Sequence, residues 1–253
     1  LAPDGTLVVA DTDNGTLRRV TPAGVVTTIA DGAGQPYRFH RPQGVAVDTL
    51  GTIYVSDTDD QTVRKIDADG VVRLVAGRSL LSGAQDGALG VATFGSPTAL
   101  AVDAAGTLYV ADRANHTIRR IAADGTVTTI AGMNCEPGTD DGVGAAARFN
   151  GPAGLAVDSR GVLYVADTGN HAVRQIDPDG RVRTIAGRKP SGQDRGYGDT
   201  DGAGASARFW NPWDVACDNR GNLLVTDAGN SKVRRLVVHV PSIGETISFG
   251  INT

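Results

Sequence analysis

The stretch DAAGTLYVAD, residues 103–112, carries the fold because the chain repeats it. It returns as DGTLVVAD (4–11), DTLGTIYVSD (48–57), DSRGVLYVAD (158–167) and DNRGNLLVTD (218–227), with leading aspartates 44 to 60 residues apart. A period of that size marks a solenoid, a propeller or an array. Working outward from the phrase, each unit reads as four strands. GVAVD (44–48) and GLAVD (154–158) are mostly apolar, as expected of an inner strand covered on both faces. After a Gly-containing turn, LYVAD alternates and is rich in β-branched and aromatic residues. A short polar turn leads into HTIRRI (116–121), and ADG turns that strand back into TVTTIAG (126–132). Four antiparallel strands per repeat, the innermost made of small residues, form the blade of a β-propeller.

Composition removes the helical alternatives. Among 28 acidic residues only Glu136 and Glu245 are glutamate, and among 24 basic ones only Lys65, Lys189 and Lys232 are lysine. Glu and Lys furnish exposed helix faces, whereas Asp makes turns. The 34 glycines, about twice the usual share, point the same way. With 253 residues, 40% of them hydrophobic, the chain is large enough to bury a core. It holds no apolar run of about 18 residues that would suit a membrane span. Cys135 and Cys217 are too few for a disulfide framework or a Cys-rich zinc site. A net charge of -4 exerts no general pull on nucleic acid or anionic lipid.

The phrases PxG-VAVD, G-LYVAD-xxNH, VRxI and DG-VTTIAG resemble the NHL repeat, over essentially the whole chain. That resemblance implies a β-propeller, most often of six blades, used mainly as an interaction platform. The expectation is an all-β chain: a single NHL-repeat β-propeller domain over residues 1–253, with five four-stranded blades. The first blade is truncated, because residues 1–4 supply only the tail of an inner strand. ETISFG (245–250), following SKVRRLVVHV (231–240), reads as a fourth strand and runs the wrong way for an inner one. A fragment of a six-bladed propeller is the alternative.

Alternating strand direction places the turn between second and third strands at the same end as the crossover to the next blade. The crossovers span 31–42, 77–97, 132–152 and 187–212, while the opposite end carries terse turns such as DAAG. Binding residues favour loops on a rigid scaffold, so function is expected at the loop-rich end. The last three crossovers join a small-residue stretch to Phe94, Phe149 and Phe209, which suggests a short helical turn whose Phe plugs between blades. Arg148 and Arg208 precede two of these, as blade-to-blade salt bridges or as ligand contacts. Asp11, Asp57, Asp112, Asp167 and Asp227 close every second strand and are too regular for a unique active site. They are expected to cap the turn that follows, with Asn115, Asn170 and Asn230 at its left-handed positions. Of each arginine pair (Arg18/Arg19, Arg119/Arg120, Arg234/Arg235), alternation sends one member between blades and the other to solvent.

Catalytic patterns are sparse. A resemblance to propeller hydrolases of the gluconolactonase type implies a divalent metal over the central channel. Gln43, Thr98, Ala153 and Trp213-Asp214 start the inner strands, and their one carboxylate is too few for a hard cation. VADRANH (110–116) resembles a turn of the peptidyl-hydroxyglycine lyase, which implies a role for Arg113 and a metal shared by His116 and His171, although no tyrosine sits in these turns. There is no GxSxG elbow and no HExxH helix. The loop-rich end holds sixteen acids against nine bases and repels phosphate. The expected function is a non-catalytic binding module for a protein segment or peptide of basic character. No nucleic acid, membrane, cofactor or metal is expected, and the chain is read as part of a larger multidomain protein. The candidate binding residues are Arg113, His116, Arg148, Asn150, His171, Arg208, Trp210, Asn211, Trp213 and Asp214. Trp210 and Trp213 are foremost, since aromatics and Arg dominate binding hot spots; Trp213 alternatively plugs the central channel. A metal-dependent lyase or hydrolase centred on His116, His171 and Arg113 is the competing reading. Resemblance to secreted bacterial NHL proteins leans toward an extracytoplasmic setting.

Overall fold

A computed structural model describes residues 1–29, 37–218, 220–238 and 249–251. Contact density divides the chain into two units, Leu1–Asn115 with Arg119–Thr129 and His116–Ile118 with Ile130–Thr253. The fold is all-β: five antiparallel sheets, the blades of a β-propeller, with helix limited to three-residue 3₁₀ turns among the described residues.

The first blade has three strands in sequence order, β1 (Leu7–Asp11), β2 (Thr16–Val20) and β3 (Val26–Thr28). The second has four, β4 (Pro42–Val47), β5 (Ile53–Asp57), β6 (Thr62–Ile66) and β7 (Val72–Gly77). The third repeats this with β8 (Pro97–Val102), β9 (Leu108–Asp112), β10 (Thr117–Ile121) and β11 (Val127–Gly132). Ahead of the fourth blade, β12 (Gly142–Val143) belongs to a crossover. It adds outside the last strand of the set β13 (Pro152–Val157), β14 (Leu163–Asp167), β15 (Ala172–Ile176) and β16 (Arg181–Ala186). The fifth blade comprises β17 (Pro212–Cys217), β18 (Leu223–Asp227), β19 (Lys232–Val238) and β20 (Phe249–Ile251). Here β20 runs antiparallel to β19 with Phe249 opposite Val238, so the C-terminal stretch is a fourth strand. Residues 245–248 of the expected strand lie outside the described residues.

Every inner strand opens on a proline, and each such pair of strands shifts register just after it. Proline has no N–H to give the ladder, so a bulge is where a sheet tolerates it. At the loop-poor end Asp48, Asp103, Asp158 and Asp218 each accept the N–H groups two and four residues on. The first blade departs from the expected alignment. Ala2 holds the backbone place of Asp48, donating to Thr6 as Asp48 does to Thr52, and Asp4 stands two residues further along. Aligning on the aspartate alone slips by two because Asp4 caps its own Asx-turn through Thr6.

The core lies between sheets. In the first unit Phe94 and Val110 pack with Val63 and Ala76; in the second Phe209, Val215 and Val225 pack with Tyr164 and Val173. Each fully buried aliphatic of this kind contributes about 1.5–3 kcal/mol.

Candidate functional site

A polar cluster repeats at the loop-rich end of the third, fourth and fifth blades. Asp167 accepts the backbone N–H of Asn150 (2.8 Å), the amide of Asn170 (2.7 Å) and the guanidinium of Arg174 (2.8 Å). Arg174 also donates to the carbonyls of Arg148 and Asp140 and to Asp141, and it lies 5.1 Å over the ring of Phe149. Asp112, Arg119, Asp86 and Phe94 repeat the arrangement, as do Asp227, Arg234, Asp201 and Phe209. Burial pushes the Asp167 carboxyl up to about 6 against the pull of Arg174.

These contacts fasten the crossover, which corrects two expectations. Asp57, Asp112, Asp167 and Asp227 do not cap the backbone of the following turn; each takes an N–H from the crossover residue after the Phe. The asparagines are not the left-handed residues either: their side chains reach back to Gly83, Gly138 and Gly198. The residues at positive φ are the neighbours His116 (59°), His171 (55°) and Ser231 (54°). The arginine expectation holds for the complete pairs, with Arg119 and Arg234 buried and Arg120 and Arg235 exposed.

The left-handed residues act as clasps. Nδ1 of His171 accepts the N–H of Asn211 (3.1 Å), Nδ1 of His116 accepts that of Gly151 (2.9 Å), and Oε1 of Gln61 accepts that of Ser96 (2.7 Å). Because glutamine performs the same task, an acceptor atom is what the position requires. Burial lowers the His171 pKa and favours the neutral ring that this acceptor role needs. Among the described residues no three His, Cys, Asp or Glu side chains come together as a metal-holding group.

The fourth-to-fifth crossover carries a different feature. The rings of Tyr197 and Trp210 stack at 5.7 Å and 23°, and His171 meets Tyr197 edge-on at 5.4 Å. Trp210 lies over Gly229, where a Cβ would stand 2.5 Å from the indole, so only glycine admits the ring. Its N–H is held by Asp227 (2.7 Å). Tyr197 and Trp210 are both more than 40% exposed. Arg208 grips Asp194 through two bonds (2.8 and 2.7 Å), and Asp194 also takes Arg188 and the Gly196 N–H. Those donors hold the Asp194 carboxyl down at about 2 and pin the loop that presents Tyr197.

Arg208 therefore bridges within its own crossover rather than from blade to blade. Arg148 does likewise, pairing with Glu136 (3.0 Å). His171, Arg208 and Trp210 come together around Tyr197, and Asn211 joins them through its N–H to His171. Arg148 and Asn150 belong to the preceding crossover, where Asn150 fills over Gly169 the place that Trp210 fills over Gly229. Trp213 and Asp214 stand at the head of β17, with Asp214 donating its N–H to Thr226. Arg113 opens a 3₁₀ turn and its N–H donates to Ser96. Sequence reading missed Tyr197; its signal was a lone tyrosine between glycines in RGYGD.

The profile of the SMP-30/Gluconolactonase/LRE-like region matches residues 3–187, and that of the NHL repeat matches residues 209–236. Human NHL repeat-containing protein 2 is 35% identical over 117 residues, 46% of this chain but only 15% of that protein. An auxiliary nutrient binding protein of Bacteroides ovatus superposes with a TM-score of 0.70 at 22% identity, covering 93% of this chain and 57% of the other. A catalytically inactive virginiamycin B lyase of Staphylococcus aureus, solved with quinupristin, gives 0.61 at 16% identity, over 98% and 67%. At those identities the two structures speak for the fold alone. No helix among the described residues is long and apolar enough to cross a membrane.

Proposed function

The chain belongs to the SMP-30/gluconolactonase/LRE-like family and is built of NHL-type blades, and from that premise we propose that residues 1–253 form one non-catalytic binding domain of a larger protein, whose crossover loops hold a peptide or protein segment. The observation that carries the reading is the stacked, exposed pair Tyr197 and Trp210. Aromatic faces held rigid by their own backbone contacts offer contact area at little entropic cost, which is how hot spots are built. The acid excess counted over the loop-rich turns is largely met by Arg18, Arg64, Arg119, Arg174 and Arg234, whose guanidinium groups reach those aspartates, so the aromatic pair rather than net charge supports the reading. The histidines that a lyase would need for metal have their Nδ1 atoms occupied by backbone N–H groups. The name of the Bacteroides ovatus neighbour supports a binding role.

Selection from a displayed random-peptide library tests this. Captured peptides should share a common motif, and Trp210→Ala should weaken their capture at least tenfold while circular dichroism stays unchanged, with Tyr197→Ala smaller in the same direction. Equal capture by wild type and both variants would move the binding surface elsewhere.

A further inference from the structure

The three clasps do the same work with different consequences. Each accepts the N–H of the residue just before the next inner strand's proline: Gln61 that of Ser96, His116 that of Gly151 and His171 that of Asn211. Two features set the last apart. Its held residue follows Trp210, whereas Gly151 follows Asn150 and Ser96 follows Gly95. The His171 ring also meets Tyr197 edge-on, and Tyr197 stacks on Trp210. One imidazole thus supports both parts of the aromatic platform, Trp210 through the adjoining backbone and Tyr197 through ring contact. Asn211 sits at φ 50°, a left-handed conformation that costs it more than the 60° of Gly151 costs a glycine.

Nδ1 accepts a hydrogen bond only while it carries no proton. A proton there sets two N–H groups against each other, so the ring must turn away from Asn211, and its contact with Tyr197 goes with it. We propose that capture at the aromatic pair is proton-gated: a proton taken up by His171 opens its clasp on Asn211, removes the support of Tyr197 and releases the bound segment. Such a gate presupposes that Tyr197 and Trp210 are the binding surface. Burial disfavours the charged ring, so release falls below pH 6.5. Asp227, at the end of β18, is the charged group whose field reaches the ring and favours the cation, but it is itself paired with Arg234. From the crossover, Tyr197 is the titratable side chain against the ring, and the charged Arg208, Asp194 and Arg188 of that segment are bonded to one another. On the blade of His171, Asp167 and Arg174 are likewise paired.

Two readouts separate the gate from the site. In the 253-residue chain carrying Trp213→Phe, Trp210 is the single tryptophan, and its fluorescence reports the platform with no ligand present. Between pH 7.5 and 5 the emission should pass through one step, which His171→Gln abolishes and His116→Gln keeps. Glutamine serves at this backbone conformation in Gln61, at φ 61°. Capture is then compared at the same two pH values, using a library-selected peptide free of His, Asp and Glu, with circular dichroism confirming the fold at both. Wild type should bind about fivefold more weakly at pH 5, as when roughly a fifth of the chains stay competent, and His171→Gln should bind equally at both. Capture that ignores Trp210→Ala overturns the binding surface, and with it the gating of capture, even where the fluorescence step is present. Capture that needs Trp210 but does not change with pH, or a fluorescence step that is absent or survives His171→Gln, overturns the gate alone.

Discussion

The fourth blade and the first share a phrase, LYVAD and LVVAD, and differ in what covers it. All of β14 is buried, whereas β1 alternates between exposed and half-buried positions. The same Asp–Arg pair consequently has opposite electrostatics in the two. Burial raises the Asp167 carboxyl despite Arg174, while at the half-buried Asp11 the hydrogen bonds from Arg18 and Asn14 outweigh burial and lower the carboxyl. Strand pairing is thus written into each repeat, but the dielectric around its charges comes from the neighbouring polypeptide.

The largest expected contrast follows from that pair. Arg174→Ala leaves Asp167 buried without its cation and should cost about 3–5 kcal/mol in denaturant unfolding. Arg18→Ala, at a solvent-open pair, should cost no more than about 1 kcal/mol. Similar losses from both would mean that the first blade is as closed as the fourth. A smaller contrast compares one side-chain position across blades. Val173 is fully buried between the fourth and fifth blades, while its counterpart Val233 is largely exposed. Val173→Ala should lower stability by about 1–3 kcal/mol through lost burial and a residual cavity, and Val233→Ala by less than about 0.5 kcal/mol.

The smallest effect concerns the clasp. The folded His171 ring has a pKa below its ordinary 6.5, so its contribution to stability is complete above 6.5 and is lost as pH falls from there through the lower folded value. His171→Gln copies the acceptor of Gln61 and should remove that share of the acid sensitivity. Wild type and variant should then match above pH 7 and separate below 6. Parallel curves throughout would show that the clasp is not the titrating element.

Much of this was legible without coordinates. The repeat, the four-strand order, the buried member of each arginine pair and the phenylalanine plugs follow from periods of two and about fifty-five residues, which local sterics and hydrophobic burial enforce. The turn residues were less legible. Asn170 and His171 are adjacent polar residues, and which one takes positive φ depends on where the crossover places its acceptor and donor, a non-local fact. Tyr197 was missed for the same reason: nothing in RGYGD says that the loop folds back onto Trp210.

The sequence by itself determined that this chain is a series of small antiparallel blades, since alternation, turn chemistry and repeat length act within some fifty residues. Only the tertiary structure decided which repeated groups are sealed and which stay open, and which side chains from distant crossovers meet. Burial and ion pairing there depend on surfaces brought together from separate repeats, and identical local phrases carry no record of that.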